Sequence, residues 1–144
     1  MNAVESLYQS VILKHSRAPR FRVELGQGAA ACHCRNPLCG DDVTVQWRAG
    51  PAGAIAEIGF TAEGCAILIA SSDLMAESVL GLDRDRALKK ARAFRAMLDD
   101  GPEIAEPTLA SFAALRDYPA RKRCATLPWQ ALESLMSGDM KCQS

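Results

Sequence analysis

Residues 36–42 of the chain read NPLCGDD, a turn that carries one thiol and is followed by two carboxylates. Cys39 and Asp41, two residues apart, supply half of a metal site. Two further cysteines, Cys65 and Cys124, are expected to supply the rest. Three thiolates and one carboxylate around a tetrahedral ion suit zinc, and such a site is labile if one ligand can be displaced.

Two predicted strands follow this turn. Residues 43–47 alternate apolar and polar side chains, which is typical of a strand with one buried face. After a turn at residues 50–53, a second strand is predicted to bury one face formed by Ala56, Ile58, Phe60 and Ala62. The short connection predicts an antiparallel hairpin. Cys39 and Cys65 then lie at the outer ends of this hairpin, next to each other in space.

Helices are predicted before and after the hairpin. The first, at residues 3–17, has apolar residues at helical spacing behind a capping box of Asn2 and Glu5. The same signals predict four more helices: residues 66–80, the segment from the cap Asp83 to Gly101, the segment from Thr108 to Pro119, and residues 126–137. Cys65 and Cys124 are thus each predicted to lie at a helix N-terminus, which for Cys65 favours the thiolate. The alternative for Cys65 is a core cysteine at the end of a strand.

Early strands and late helices predict an α+β fold. We expect a small antiparallel sheet of two or three strands, packed against a layer of about five helices. The candidate third strand is residues 29–35, where Cys32 and Cys34 would share one face and His33 the other. Their spacing is poor for zinc, so both cysteines are interpreted as buried core residues. His15, beside the apolar stripe of the first helix, is interpreted as a packed or half-exposed residue.

The whole chain limits the function further. Its 144 residues predict one domain at residues 1–137 and a flexible tail at 138–144 that includes Cys142. Lys plus Arg equal Asp plus Glu at 17 each, which disfavours nucleic acid and anionic membranes as partners. The chain shows no signal peptide and no membrane span, so we expect a cytoplasmic protein. Six cysteines in that reducing compartment indicate metal or sulfur chemistry.

Three cysteine-containing stretches, taken together, resemble the iron–sulfur assembly scaffold family with the IscU/NifU N-terminal fold. They read NPLCGD at residues 36–41, GCAI at 64–67 and RKRCATL at 121–127, and YQSVILKHSRAP at 8–19 supports them. The resemblance spans nearly the whole chain and is greatest to the SufU branch. Arg123 stands where IscU-type scaffolds carry a histidine, and residues 83–117 leave room for the added helical segment of SufU-type proteins.

The resemblance implies a zinc-dependent sulfur shuttle, a sulfurtransferase that takes persulfide sulfur from a SufS-type cysteine desulfurase and passes it to the iron–sulfur assembly complex. Four residues match the family's metal ligands, namely Cys39, Asp41, Cys65 and Cys124, and Cys39 also matches the sulfur acceptor. Two other hypotheses remain. The protein could be a scaffold that builds a 2Fe–2S or 4Fe–4S cluster on these residues, or a module in which zinc only stabilises the fold.

A basic run, residues 121–123, precedes Cys124 and is a candidate partner-binding site. Arg121, Lys122 and Arg123 could dock an acidic patch of the desulfurase or steady an anionic persulfide. The alternative is that this run is simply a solvated basic surface.

Overall fold

The computed structural model describes residues 2–138 and contains one antiparallel sheet with the strand order β1-β2-β3. The strands are β1 (Ala30–Asn36), β2 (Asp41–Ala49) and β3 (Ile55–Glu63). The helices are α1 (Ala3–Arg17), α2 (Ala66–Val79), α3 (Arg84–Leu98), α4 (Pro107–Ala110), which continues into a 3-10 turn at Ser111–Leu115, and α5 (Pro119–Ser137). The predicted α+β fold, the hairpin and the third strand are confirmed.

The alternation of side chains decides which face of the sheet is covered. On β1 and β2 the odd and even positions separate cleanly, so that Cys32, Cys34, Val43 and Val45 are buried while His33 is exposed. Helix α5 packs across β1 and β2. The interpretation of Cys32 and Cys34 as core residues is therefore confirmed.

The prediction that Ala56 lies on the buried face of β3 is wrong. A bulge between Arg48 and Ala49 pairs Arg48 with Glu57 but Ala49 with Ile55, which leaves Ala56 without a partner in the register. Ala56 is exposed, and Ile55 is buried in its stead. An extra residue shifts the period-two alternation by one, and a sequence pattern that assumes a regular strand cannot detect this.

The last helix begins earlier than the sequence predicted. It starts at Pro119, not near residue 126, because proline lacks the N–H that the first helical position does not need. Pro128 lies inside the helix, so the carbonyl of Cys124 receives no α-helical hydrogen bond. Thr126 does not cap the helix, since its hydroxyl donates to the carbonyl of Arg123. The prediction that Cys124 lies at a helix N-terminus is wrong.

A buried hydrogen bond between side chains fixes α1 against α2. His15 Nδ1 lies 2.7 Å from Asp73 Oδ2, and Asp73 Oδ1 accepts a hydrogen bond from the backbone N–H of Phe21. Both residues are buried, which confirms His15 as a packed residue. Because Phe21 belongs to the irregular connector at residues 18–28, Asp73 also holds that connector on the domain.

Ser71 joins α2 to α5 inside the core. Its hydroxyl donates to the carbonyl of Ala125 at 2.6 Å and accepts from Trp129 Nε1 at 3.0 Å. Ser71→Ala leaves the buried indole N–H unpaired, so we expect a loss of about 2 kcal/mol in the free energy of unfolding by urea. Ser10→Ala, on the exposed face of α1, should change it by less than about 0.5 kcal/mol. Equal effects would contradict this reading of Ser71.

The structure tests the predictions about a membrane span and a flexible tail only within residues 2–138. Within residues 2–138, none of the helices is both long enough and apolar enough to cross a membrane. The predicted flexible tail lies outside the described residues, except for Gly138, which ends α5 in the left-handed conformation. The interpretation of Cys142 as a bystander therefore stays a prediction.

Candidate metal centre

Three of the four predicted ligands converge at one end of the sheet. The sulfurs of Cys39 and Cys124 and a carboxylate oxygen of Asp41 all lie within 4.8 Å of one another. Cys39 lies in the turn between β1 and β2, and Asp41 is the first residue of β2. Cys124 reaches them because α5 packs across the same strands. The three donors thus come from two separate parts of the chain.

Cys65 joins the cluster through Asp41. It is the N-cap residue of α2, as predicted, and its backbone N–H donates to Asp41 Oδ1 at 3.3 Å. Its thiol lies 3.8 Å from Asp41 Oδ2. The side chain is exposed, whereas Asp41 and Cys124 are buried. Cys65 therefore contacts Asp41 at the solvent side of the cluster, but it is not one of the three residues whose donor atoms all lie within 4.8 Å of one another.

Gly64 makes room for the carboxylate of Asp41. A Cβ atom at position 64 would overlap Asp41 Oδ1 and would come within 2.7 Å of the Leu68 side chain. The sequence analysis used this glycine only as part of a motif around Cys65. Its spatial role depends on the pairing of β2 with β3, which places residue 64 next to residue 41.

Gly64→Ala should weaken the predicted zinc binding by about tenfold or more, because one charged ligand is pushed out of position. The measurement is competition for zinc against a chromophoric chelator. Gly28→Ala serves as the control, since Gly28 also has a positive φ but has open space around it. If both variants bind zinc like the parent protein, the Asp41 carboxylate does not contribute to the site.

The electrostatics of the cluster affect Cys124 most. Burial raises the pKa of its thiol, and hydrogen bonds and charge from Asp41 and Cys65 raise it further. Without a metal, Cys124 is therefore a neutral thiol at physiological pH. Metal binding must displace this proton, so the affinity should fall as the pH falls.

Tyr8 is a neighbour of the site that the sequence analysis missed. Burial raises the pKa of its phenol to about 12; Arg121 opposes the shift, and Cys65 and Cys124 add to it. Its ring also contacts Phe112 edge to face, at 5.5 Å between centroids. Tyr8 is thus a neutral phenol beside the cysteines. No local sequence signal identifies it, because the packing of α1 brings it there.

The basic run at residues 121–123 is not one uniform patch. Lys122 pairs with Asp99 at 3.1 Å, and the guanidinium of Arg121 lies over the ring of Tyr118 at 5.3 Å. Arg123 makes no ion pair within residues 2–138 and is exposed. The partner-binding role of the basic run remains a prediction. Arg121 and Arg123 are better placed for this role than Lys122, because Lys122 is already paired with Asp99.

The donor set fits a zinc ion. Cysteine sulfur and carboxylate oxygen are both regular zinc ligands, and four such side chains are neighbours here. Two of them are buried, so a bound ion would be partly shielded from water. Because Cys39 and Cys65 are exposed, one side of the site stays open to a partner.

A small antiparallel sheet flanked by helices, with cysteines and one aspartate gathered at its end, defines an α+β domain with a candidate metal site. More particularly, the chain belongs to the NifU-like N-terminal domain family, whose model matches residues 7–125.

Proteins similar to this chain carry two kinds of name. The iron–sulfur cluster assembly scaffold protein IscU of Streptococcus pyogenes is 30% identical over 99% of this chain and 91% of its own length. The zinc-dependent sulfurtransferase SufU of Bacillus subtilis is also 30% identical, over 90% of this chain and 89% of its own.

Solved structures show the same fold. The N-terminal NifU-like protein of Brucella abortus superposes with a TM-score of 0.80 at 27% identity, over 96% of this chain and 97% of that one. A putative scaffold protein for the SUF system from Fervidobacterium islandicum gives 0.74 at 28% identity, over 90% and 96%. The predicted family is confirmed.

Proposed function

We propose that this protein is a zinc-dependent sulfur shuttle of iron–sulfur cluster biogenesis. Cys39 accepts sulfur from the persulfide of a cytoplasmic, SufS-type cysteine desulfurase and passes it to the assembly complex. The observation that carries the proposal is an asymmetry within the cluster. Cys39 is exposed on a turn, while Asp41 and Cys124, its close neighbours, are buried in regular elements.

The turn makes Cys39 the thiol that can reach a partner. Its backbone N–H donates to the carbonyl of Asn36 at 3.4 Å, a long contact, and Gly40 beside it has a positive φ of 75°. The neighbouring Leu38 is 76% exposed, so nothing within residues 2–138 covers this turn. A loop of this kind moves at less cost than a packed helix.

The other two cysteines are less free to move. Cys65 is exposed, but its carbonyl accepts the first hydrogen bond of α2 and its N–H is held by Asp41. Cys124 is only 8% exposed in the second turn of α5. These two thiols and Asp41 are therefore suited to hold an ion while Cys39 reacts. Bound zinc would supply charge that keeps cysteine side chains deprotonated, without redox chemistry of its own.

The chemical step is a thiol exchange. The thiolate of Cys39 attacks the terminal sulfur of the desulfurase persulfide, a new S–S bond forms on Cys39, and the desulfurase cysteine leaves as a thiolate. No electrons are gained or lost. The same exchange with an acceptor thiol in the assembly complex would return Cys39 to its starting state.

The second candidate is a scaffold that builds a cluster on the same four residues. The names of the IscU relatives favour it. The soft sulfur donors suit iron as well as zinc, but the fourth donor is the oxygen of Asp41, and Arg123 stands where a histidine ligand would be expected. A carboxylate is a weaker match to iron–sulfur chemistry, so the shuttle is preferred.

Metal analysis of the purified protein separates these functions. A shuttle should be colourless with about one zinc per chain, whereas a scaffold should be brown and contain iron and sulfide. A pull-down against the cell's cysteine desulfurases should capture one of them. Protein that contains zinc but neither binds a desulfurase nor takes up sulfur would instead be a structural zinc module.

A further inference from the structure

A basic cleft lies beside the metal centre, between the end of β1 and one face of α5. Its volume is about 220 Å³, and it is lined by Arg35, Asn36, Arg123, Thr126, Leu127 and Gln130. The four residues from α5 follow the i, i+3, i+4, i+7 spacing of a single helix face. Because β1 is an edge strand, the cleft opens along the free edge of the sheet.

Two arginines line the basic cleft. Arg35 and Arg123 are exposed, and neither makes an ion pair within residues 2–138, where most other arginines bind a carboxylate, a carbonyl or an aromatic ring. No carboxylate lines the cleft. The cross-strand partner of Arg35 is Asp42, which instead bonds His33 Nε2 at 2.7 Å. Both arginines carry a positive charge, and an anion bound in the cleft would be attracted to them.

Side-chain amides add neutral donors. Asn36 is only 8% exposed, and its Oδ1 accepts from the N–H of Leu38, which leaves its NH₂ group without an acceptor among the described residues. Gln130 likewise makes no side-chain hydrogen bond within residues 2–138. Leu127 contributes an apolar surface between the polar groups. The cleft therefore offers donors on its sides and an apolar wall between them.

The size and chemistry of the cleft select the ligand. At about 220 Å³ the cleft is smaller than the roughly 300–1,000 Å³ of pockets for drug-sized ligands, so it suits a small molecule. Phosphate sites commonly use a glycine loop or the first turn of a helix, whereas this cleft begins several residues into α5. Planar guanidinium groups match carboxylates as well as phosphates, so the absence of a glycine loop and of a first helical turn favours the carboxylate. We propose that the basic cleft binds a short dicarboxylate, one carboxylate at each arginine.

Such a ligand would also contact the turn that carries Cys39. The carbonyl of Asn36 accepts from the N–H groups of Cys39 and Gly40, and its side chain holds Leu38. A dicarboxylate bound to the Asn36 amide would stabilise this residue and the turn that depends on it. This binding does not depend on the proposed sulfur transfer.

The test is a succinate titration of the full-length protein as purified, followed by proton–nitrogen NMR. We expect saturable shifts of the Arg35 and Arg123 side-chain N–H signals and of the Cys39 amide, with a Kd below about 1 mM. Arg35→Ala and Arg123→Ala should each weaken binding by about tenfold or more. Arg17→Ala, which removes an exposed and unpaired arginine elsewhere, should leave the Kd unchanged.

Three outcomes would overturn the proposal. Shifts that do not saturate, or that are lost equally in Arg17→Ala, would mean that succinate only screens charge. Phosphate that binds as tightly as succinate would mean a general oxyanion site. A Kd for succinate that neither Arg35→Ala nor Arg123→Ala changes, together with impaired desulfurase binding in both, would mean that the cleft receives an acidic side chain of that partner.

Discussion

Cys39→Ser should abolish sulfur uptake from the desulfurase, with labelled sulfur falling from about one equivalent per chain to background, because serine oxygen does not carry out thiol exchange. The exposed turn position of Cys39 supports the choice of this cysteine over Cys124, which is buried. The experiment incubates protein, desulfurase and cysteine, alkylates the thiols, digests the chain and locates the added sulfur by mass spectrometry.

The control for Cys39→Ser must retain the site. Cys32→Ser changes a buried thiol on the sheet that is not one of the clustered ligands, so it should keep the label on Cys39. Sulfur that remains on Cys34, Cys124 or Cys142 in Cys39→Ser would show that another thiol is the acceptor. Zinc content should be measured in both variants, so that loss of the acceptor is not confused with loss of the ion.

Cys124→Ser should lose the metal and lower the stability of the fold. Cys124 is buried where α5 meets the sheet, so the ion it helps to hold connects two parts of the chain. Metal bound only to the folded state contributes about 4 kcal/mol when its free concentration is 1,000 times the Kd. We therefore expect less than about one-tenth of the parent zinc content and a drop in the thermal midpoint of about 10–15 °C.

Removing the metal from the parent protein should lower its thermal midpoint as Cys124→Ser does, and this comparison tests the prediction. A strong chelator should lower the thermal midpoint of the parent protein but should barely affect the variant, because the variant has no bound metal to lose. Full zinc content in Cys124→Ser would exclude this cysteine as a ligand. Asp41→Ala is expected to be milder, since water can take the place of an exchangeable oxygen ligand.

Local patterns predicted most of the elements because the physics behind them is local. Asn2 and Asp83 cap α1 and α3 through side-chain hydrogen bonds to residues three positions ahead, as their spacing predicted. The alternation in β2 predicted its buried face. The start of α5 was misplaced because Pro119 can end one segment or begin the next, and only packing against the sheet distinguishes the two.

The sequence by itself determined the chemistry of this protein: three thiols and a carboxylate in motifs whose order matches one family, on elements whose periodicity is local. Only the tertiary structure decided how these groups are used. The positions of Tyr8 beside the cysteines, of Gly64 against Asp41 and of Arg35 and Arg123 at one cleft depend on contacts between distant segments. These contacts form only when the helices pack against the sheet. Side-chain periodicity and motif spacing describe single segments, so they do not encode such contacts.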